Sequence, residues 1–206
     1  MYCMRNVDGS WEVALGLAWE AMVAGTTPVG CVVLDRRGEI VTRGRGRRYV
    51  REAAPGQLSY SHLAHAELNA LAQLPPIQRY EDHVVLTTLE PCLLCVGAAV
   101  MATVGRVEYA GADPYGGSAH VQVENPHTAR LMPSLIGPAE GALGVIGALL
   151  HYAFYTERNP DGVVVSAYRE AMPEFVQGVD GPGLTRRVLQ LKGERRQLAE
   201  VVSLFG

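Results

Sequence analysis

Two short runs constrain this chain more than anything else in it: His65-Ala-Glu67 and, after an intervening segment, Pro91-Cys-Leu-Leu-Cys95. Together they supply one imidazole, two thiols and one carboxylate. That is the donor set of a zinc ion which keeps one coordination position open, with a separate acid–base group beside it. A Cys-x-x-Cys pair alone would suit a structural zinc knuckle or a redox couple equally well. In combination, the two runs demand a fold that brings distant segments to one point.

The spacing says how. Pro91 is predicted at the first position of a helix, where its missing N–H has no partner to lose. Cys92 and Cys95, three residues apart, then share one face of the first turn, where the free N–H groups and the positive end of the helix dipole favour thiolates. His65 is predicted to open a second helix over residues 65–72, closed by Pro75-Pro76. His65, Cys92 and Cys95 are read as the ligands, with water as the fourth. Glu67, two residues from a ligand, projects beside that water without binding the metal. Zinc lowers the pKa of bound water from about 15.7 toward roughly 7, which supplies hydroxide for attack on an amidine-type carbon; a neighbouring carboxyl moves the protons. A purely structural site would require a fourth protein ligand, and the nearest spare, His62, precedes the predicted helix start.

Around these motifs, helical and strand patterns alternate. Ser10 is a predicted N-cap for a helix reaching residue 24, with Trp11, Leu15, Ala18 and Met22 recurring on one face. Residues 29–34 read as a buried strand, Asp35-Arg-Arg-Gly38 as a tight turn, and 39–43 as a second strand. Strands are also predicted at 83–88 and 106–110, and the helix opened by Pro91 runs to about residue 103. The alternation predicts an α/β architecture with a largely parallel sheet covered on both faces. Further helices are predicted at 141–155, 163–176 and 184–204. Asn159-Pro-Asp-Gly162 is the best break, dividing a domain over 1–158 from a helical extension over 159–206, packed on the core or swapped with it.

Composition bounds the rest. With 48% hydrophobic and 19% charged residues among 206, the chain can bury a sizeable core. A net charge of −3 gives no global field for nucleic acid. The N-terminal run lacks an apolar leader core, and the longest apolar stretch, 142–155, is too short to span a membrane. A soluble, cytoplasmic protein is expected. Of four cysteines, two sit in the motif; Cys31 is expected to be a buried, inert thiol, and Cys3 lies near the terminus.

These residues resemble the cytidine and deoxycytidylate deaminase superfamily, whose pattern pairs H-x-E with P-C-x-x-C. Thr87-Thr-Leu-Glu-Pro-Cys-Leu-Leu-Cys-Val-Gly-Ala-Ala-Val100, Pro28-Val-Gly-Cys-Val-Val33 and Gly105-Arg-Val-Glu-Tyr109 are most similar to the branch holding tRNA adenosine deaminases and bacterial guanine deaminases. The likeness spans residues 11–117. It implies a three-layer α/β/α fold with a five-stranded mixed sheet, zinc on His65, Cys92 and Cys95, Glu67 as the proton shuttle, and a homodimer. It also places Asp113 and Tyr115 where the branch contacts substrate. The branch's base-contacting Asn has no counterpart in Arg43-Gly-Arg-Gly-Arg47. Arg47, and His62 at the end of a long loop, are therefore added as candidate substrate contacts.

The resemblance leaves three functions: a deaminase of a small nucleobase, nucleoside or related heterocycle; a tRNA adenosine deaminase; and a non-catalytic zinc-binding protein of the same fold. An intact Glu67 disfavours the third. The second needs a basic strip for the RNA backbone, and only the seven arginines between Arg36 and Arg51 offer one. They are expected to be a solvated hairpin and loop in a chain with a single lysine, Lys192. The first is the expectation. Glu90 is expected to organise the Pro-Cys turn, and His120, His127 and His151 to hold surface or core positions.

Overall fold

The computed structural model describes residues 9–52 and 55–205; Cys3 and the N-terminal run considered above lie outside the described residues. Helix α1 (Gly9–Val23) begins at the first of them, so Ser10 lies inside the helix. Strand β1 (Gly30–Leu34) is buried at every position, as a central strand covered on both faces must be. Asp35 turns the chain into β2 (Ile40–Arg45). Its Oδ1 accepts from the backbone N–H groups of Arg37 and Glu39, at 2.8 and 3.0 Å, and these bonds hold its carboxyl below the usual range. Then come α2 (Ala66–Leu71), β3 (Val84–Leu89), α3 (Leu93–Met101) and β4 (Arg106–Gly111).

The sheet order is β2-β1-β3-β4, closed at the far edge by β5 (Ser134–Ile136). It is mixed, as the family resemblance implies, and not largely parallel as the alternation alone suggested. The hairpin makes β1 and β2 antiparallel, β1 also runs against β3, and only the β3–β4 and β4–β5 pairings are parallel. This topology has a functional consequence. Because β1 opposes both neighbours, β2, β3 and β4 run the same way, and the segments that follow each of them emerge at one end of the sheet. Those segments carry His65 and Glu67, then Cys92 and Cys95, then Asp113 and Tyr115.

Period-two alternation sorts the two faces. Cys31 and Val33 join the cluster containing Ala66, Ala70 and Ala99 of α2 and α3, whereas Val32 and Leu34 face Ala14 of α1. Cys31 is fully buried, and burial holds its thiol well above the ordinary value. Two glycines set the helix–sheet distance. A Cβ on Gly30 would lie 2.0 Å from the Ala14 carbonyl, and one on Gly44 would lie 2.2 Å from the Ala66 carbonyl and 2.5 Å from the Ala70 nitrogen. Gly44 thus presses β2 against the helix that starts at the metal motif. We expect Gly44→Ala to destabilise the fold by about 2–3 kcal/mol, the cost of overpacking against backbone that cannot rotate away. Urea denaturation would show it as a lowered midpoint with an unchanged slope.

The remainder of the chain is helical after α4 (Pro126–Ala129) and β5: α5 (Gly141–Arg158), α6 (Val163–Ala171), α7 (Pro173–Asp180), α8 (Leu184–Gly193), α9 (Leu198–Val202) and a final 3-10 turn. The helix predicted over 163–176 is two, because Pro173 lacks the N–H to continue α6 and starts α7 instead. The helix predicted over 184–204 breaks after Gly193, with Arg195 in the left-handed region at φ 52°. Leu15 and Met22 of α1, Ile146 and Leu149 of α5, and Val188 and Leu191 of α8 bury one another in the largest apolar cluster. Trp19 Nε1 donates to the Arg196 carbonyl at 2.7 Å, and Lys192 pairs with Glu157. Helix α5 therefore belongs to the layer of α1, across the sheet from α2 and α3. No helix among the described residues is long and apolar enough to cross a membrane.

Candidate active site

His65 is the N-cap of α2 and Cys92 the N-cap of α3, both in extended backbone. Cys92 thus stands one step before the helix, with Pro91 outside it, and Cys95 lies in the first turn. The three donor atoms form a triangle. Cys92 Sγ lies 3.5 Å from His65 Nδ1, Cys95 Sγ lies 3.4 Å from the same nitrogen, and the sulfurs are 3.4 Å apart. Among the described residues this is the group positioned to hold a metal ion. Zinc bonds of about 2.3 Å to sulfur and about 2.0–2.1 Å to nitrogen place tetrahedral donors about 3.5–3.8 Å apart. The donor set fits zinc, with small movements of the thiols.

Without a metal the two thiols differ in proton affinity. Hydrogen bonding with Cys95 and His65 draws the Cys92 thiol down to about 4, against the cost of burial. Cys95, in contact with Cys92 and itself buried, is pushed well up. The hydrogen bond to Cys92 raises His65.

Glu67 is 5% exposed. Its Oε1 accepts from Thr87 Oγ1 at 2.8 Å, and its Oε2 lies 3.2 Å from Cys95 Sγ. Burial, then the Cys92 thiolate, raises its proton affinity; His65 and Thr87 oppose the shift. Thr87 holds the Glu67 carboxyl by this bond, a contact that the sequence alone does not reveal. It is visible only once β3 is known to turn position 87 toward α2.

The triangle opens into a cavity of about 240 Å³. Its lining includes Asp113 and Tyr115 and leaves out Arg47 and His62. Arg47 is 8% exposed, its Nε donating to Ser59 Oγ at 2.8 Å and its Nη2 to the Glu52 carbonyl at 2.7 Å. It fastens the loop internally, which corrects the expectation of a wholly solvated arginine stretch. The neighbouring Arg48 lines the cavity instead, with Nη2 2.6 Å from His62 Nδ1. His62 therefore reaches the site only through Arg48.

Asp113 Oδ1 accepts from the N–H groups of Tyr115 and Gly116, both at 3.0 Å. Glu90 has a wider role than the turn expected of it: its carboxylate accepts from Asp113 N at 3.3 Å and Ala119 N at 3.1 Å, tying the loop after β4 to the Pro-Cys segment. The far wall comes from the opposite helical layer, as His151 and Tyr155 of α5 and Val164 of α6. Four residues apart, His151 and Tyr155 share a helix face, a signal available in the sequence but unreadable without knowing where α5 lies.

The sequence model of the cytidine and deoxycytidylate deaminase zinc-binding region matches residues 4–111, over half of the chain, and the chain belongs to that family. Among curated relatives, a tRNA(Ile)-lysidine synthase of Deinococcus radiodurans is 41% identical over 108 residues, 51% of this chain and 17% of that protein. A tRNA-specific adenosine deaminase of Bacillus subtilis is 31% identical over 107 residues, 50% of this chain and 61% of that one. The chain thus spans less than two thirds of either relative. Among solved structures, one from a study of A-to-I editing by tRNA:A34 deaminases superposes with TM-score 0.56 at 25% identity, covering 69% of this chain and 98% of the other. A guanine deaminase of Nitrosomonas europaea shares the fold, with TM-score 0.51 at 20% identity over 70% of this chain and 82% of its own.

Proposed function

We propose that this chain is a zinc-dependent hydrolase that releases ammonia from a free nucleobase, nucleoside or related aminated heterocycle. The observation that carries the reading is Glu67: a buried carboxyl with raised proton affinity, on the cavity wall and beside Cys95. Zinc held by His65, Cys92 and Cys95 would acidify a water, taking its pKa from about 15.7 toward about 7. Glu67, beside that position, would take a proton from the attacking water and deliver it to the ring nitrogen next to the reacting carbon. The carbon gains a C–O bond. Glu67 then takes the remaining hydroxyl proton and gives it to the amine, the C–N bond breaks, and ammonia leaves a carbonyl behind. Asp113, Tyr115 and Arg48 are among the polar groups of the cavity wall, and in this reading they help to hold the ring.

The net charge of −3 supports a small substrate. So does the internal use of Arg47, which subtracts from the strip an RNA backbone would need. The same reading takes 159–206 as an extension packed on the core. It takes the chain as a homodimer, supported by Leu93, Leu94 and Met101, which leave α3 exposed and apolar. Ammonia release by the zinc-loaded protein across aminated bases, nucleosides and nucleotides tests the function, with a tRNA anticodon stem-loop as a separate arm. Release from a small-molecule arm is expected. Release from the RNA arm alone would transfer the substrate to tRNA, and silence in every arm with zinc bound would overturn the enzyme.

A further inference from the structure

His151 is 5% exposed, yet it belongs to the cavity wall. Its ring is held by a short chain of hydrogen bonds. Tyr168, fully buried on α6, donates its hydroxyl proton to the Ala112 carbonyl at 3.2 Å. A phenol has one proton to give, so toward His151 Nδ1, 3.1 Å away, Tyr168 presents a lone pair. The arrangement that satisfies all three groups places the imidazole proton on Nδ1 and leaves Nε2 as an acceptor. Burial favours the neutral forms of both partners: it lowers His151 and raises Tyr168. Tyr155 packs edge-on against the ring at 4.9 Å between centroids and fixes its plane.

The wall that carries His151 belongs to the α1–α5 layer, across the end of the sheet from the helices bearing the metal ligands. A ring whose amine-bearing carbon faces His65, Cys92 and Cys95 turns its far edge to that wall. In cytosine the nitrogen across the ring from the reacting carbon carries the sugar in nucleosides, and in adenine and guanine the sugar-bearing nitrogen lies in the five-membered ring, away from the reacting carbon. In the free base it can carry a proton. We propose that His151 is a specificity-determining residue, whose Nε2 accepts a hydrogen bond from this ring N–H and thereby selects free bases over ribosylated ones. The inference rests on the deaminase reading for the orientation of the ring. A site built to accept such a proton discriminates strongly against a ligand that lacks it, because the buried acceptor is left unpaired.

The test is nitrogen NMR of the zinc-loaded protein carrying 15N-histidine, with His151→Gln identifying the resonances of residue 151 among six histidines. We expect a protonated Nδ1, an unprotonated Nε2, and a mixture of tautomers in Tyr168→Phe. Cytosine, adenine and guanine are then added beside their ribonucleosides. The His151 Nε2 resonance should move with at least one free base and not with its nucleoside. For the pair that is turned over, kcat/KM should favour the base at least tenfold, and His151→Phe should bring that ratio to within about threefold of unity through KM, with zinc content unchanged. A proton on Nε2, or a base-to-nucleoside ratio that survives His151→Phe, would overturn the proposal. Failure of turnover with every ligand would instead be the failure of the deaminase reading. The tautomer and the ligand-induced shift, read without turnover, would then decide the role of His151 alone.

Discussion

Glu67→Gln should retain zinc and fold while losing at least about 100-fold, and up to about 10,000-fold, in kcat, the range that a positioned acid–base group contributes. The substitution is nearly isosteric in a site that is 5% exposed, and the amide can still accept from Thr87 Oγ1 as Oε1 does now. Packing is therefore preserved while the proton carrier is removed. KM should stay within a few-fold, since Glu67 acts on protons and the ring is held by other groups. Steady-state ammonia release beside a zinc assay measures both quantities. A variant with near-normal kcat would remove Glu67 from the chemistry.

Removing a ligand acts on stability as well as on rate. Cys95→Ser breaks the triangle of donor atoms spaced 3.4–3.5 Å apart, and activity should fall to background. A metal that binds only the folded chain stabilises it by mass action, by about 2.7 kcal/mol at a hundredfold excess over Kd. For a chain of this size that corresponds to a rise in Tm of about 5–11 °C. Added zinc should therefore raise the Tm of the wild type and leave that of Cys95→Ser nearly unchanged. Differential scanning fluorimetry with and without a chelator reads the difference, and an equal response from both proteins would place the metal elsewhere.

Much of this was legible in the residues, for identifiable reasons. The motif spacing, 65 and 67 against 92 and 95, requires that two helix starts meet, and they do, with His65 and Cys92 as the N-caps. The uninterrupted apolar run at 29–34 announces a central strand, and Asp35 with Gly38 announces the turn after it. Strand direction was not legible from alternation, because a hairpin and a crossover differ in the partners their strands choose as much as in their connections. Strand β5 is three residues with no buried position, too short to carry a period. The arginine loop shows the deeper limit. Arg47 and Arg48 are adjacent and chemically alike, yet one is locked onto Ser59 and the Glu52 carbonyl while the other meets the cavity. His151 is the same problem at longer range. Its place on the cavity wall depends on α5 packing against β3 and β4, with Gly147 close to the Thr88 carbonyl and Gly111, a tertiary fact that no local pattern encodes.

The most direct measurement is a zinc titration of the metal-stripped protein with ammonia release as the readout, using the base or nucleoside that the panel identifies. Activity should be absent without metal, rise in proportion to added zinc, and saturate at one ion per chain, with Glu67→Gln binding the same ion and staying silent. Turnover by the stripped protein, or stoichiometric zinc binding with no ammonia from any substrate class, would contradict the account.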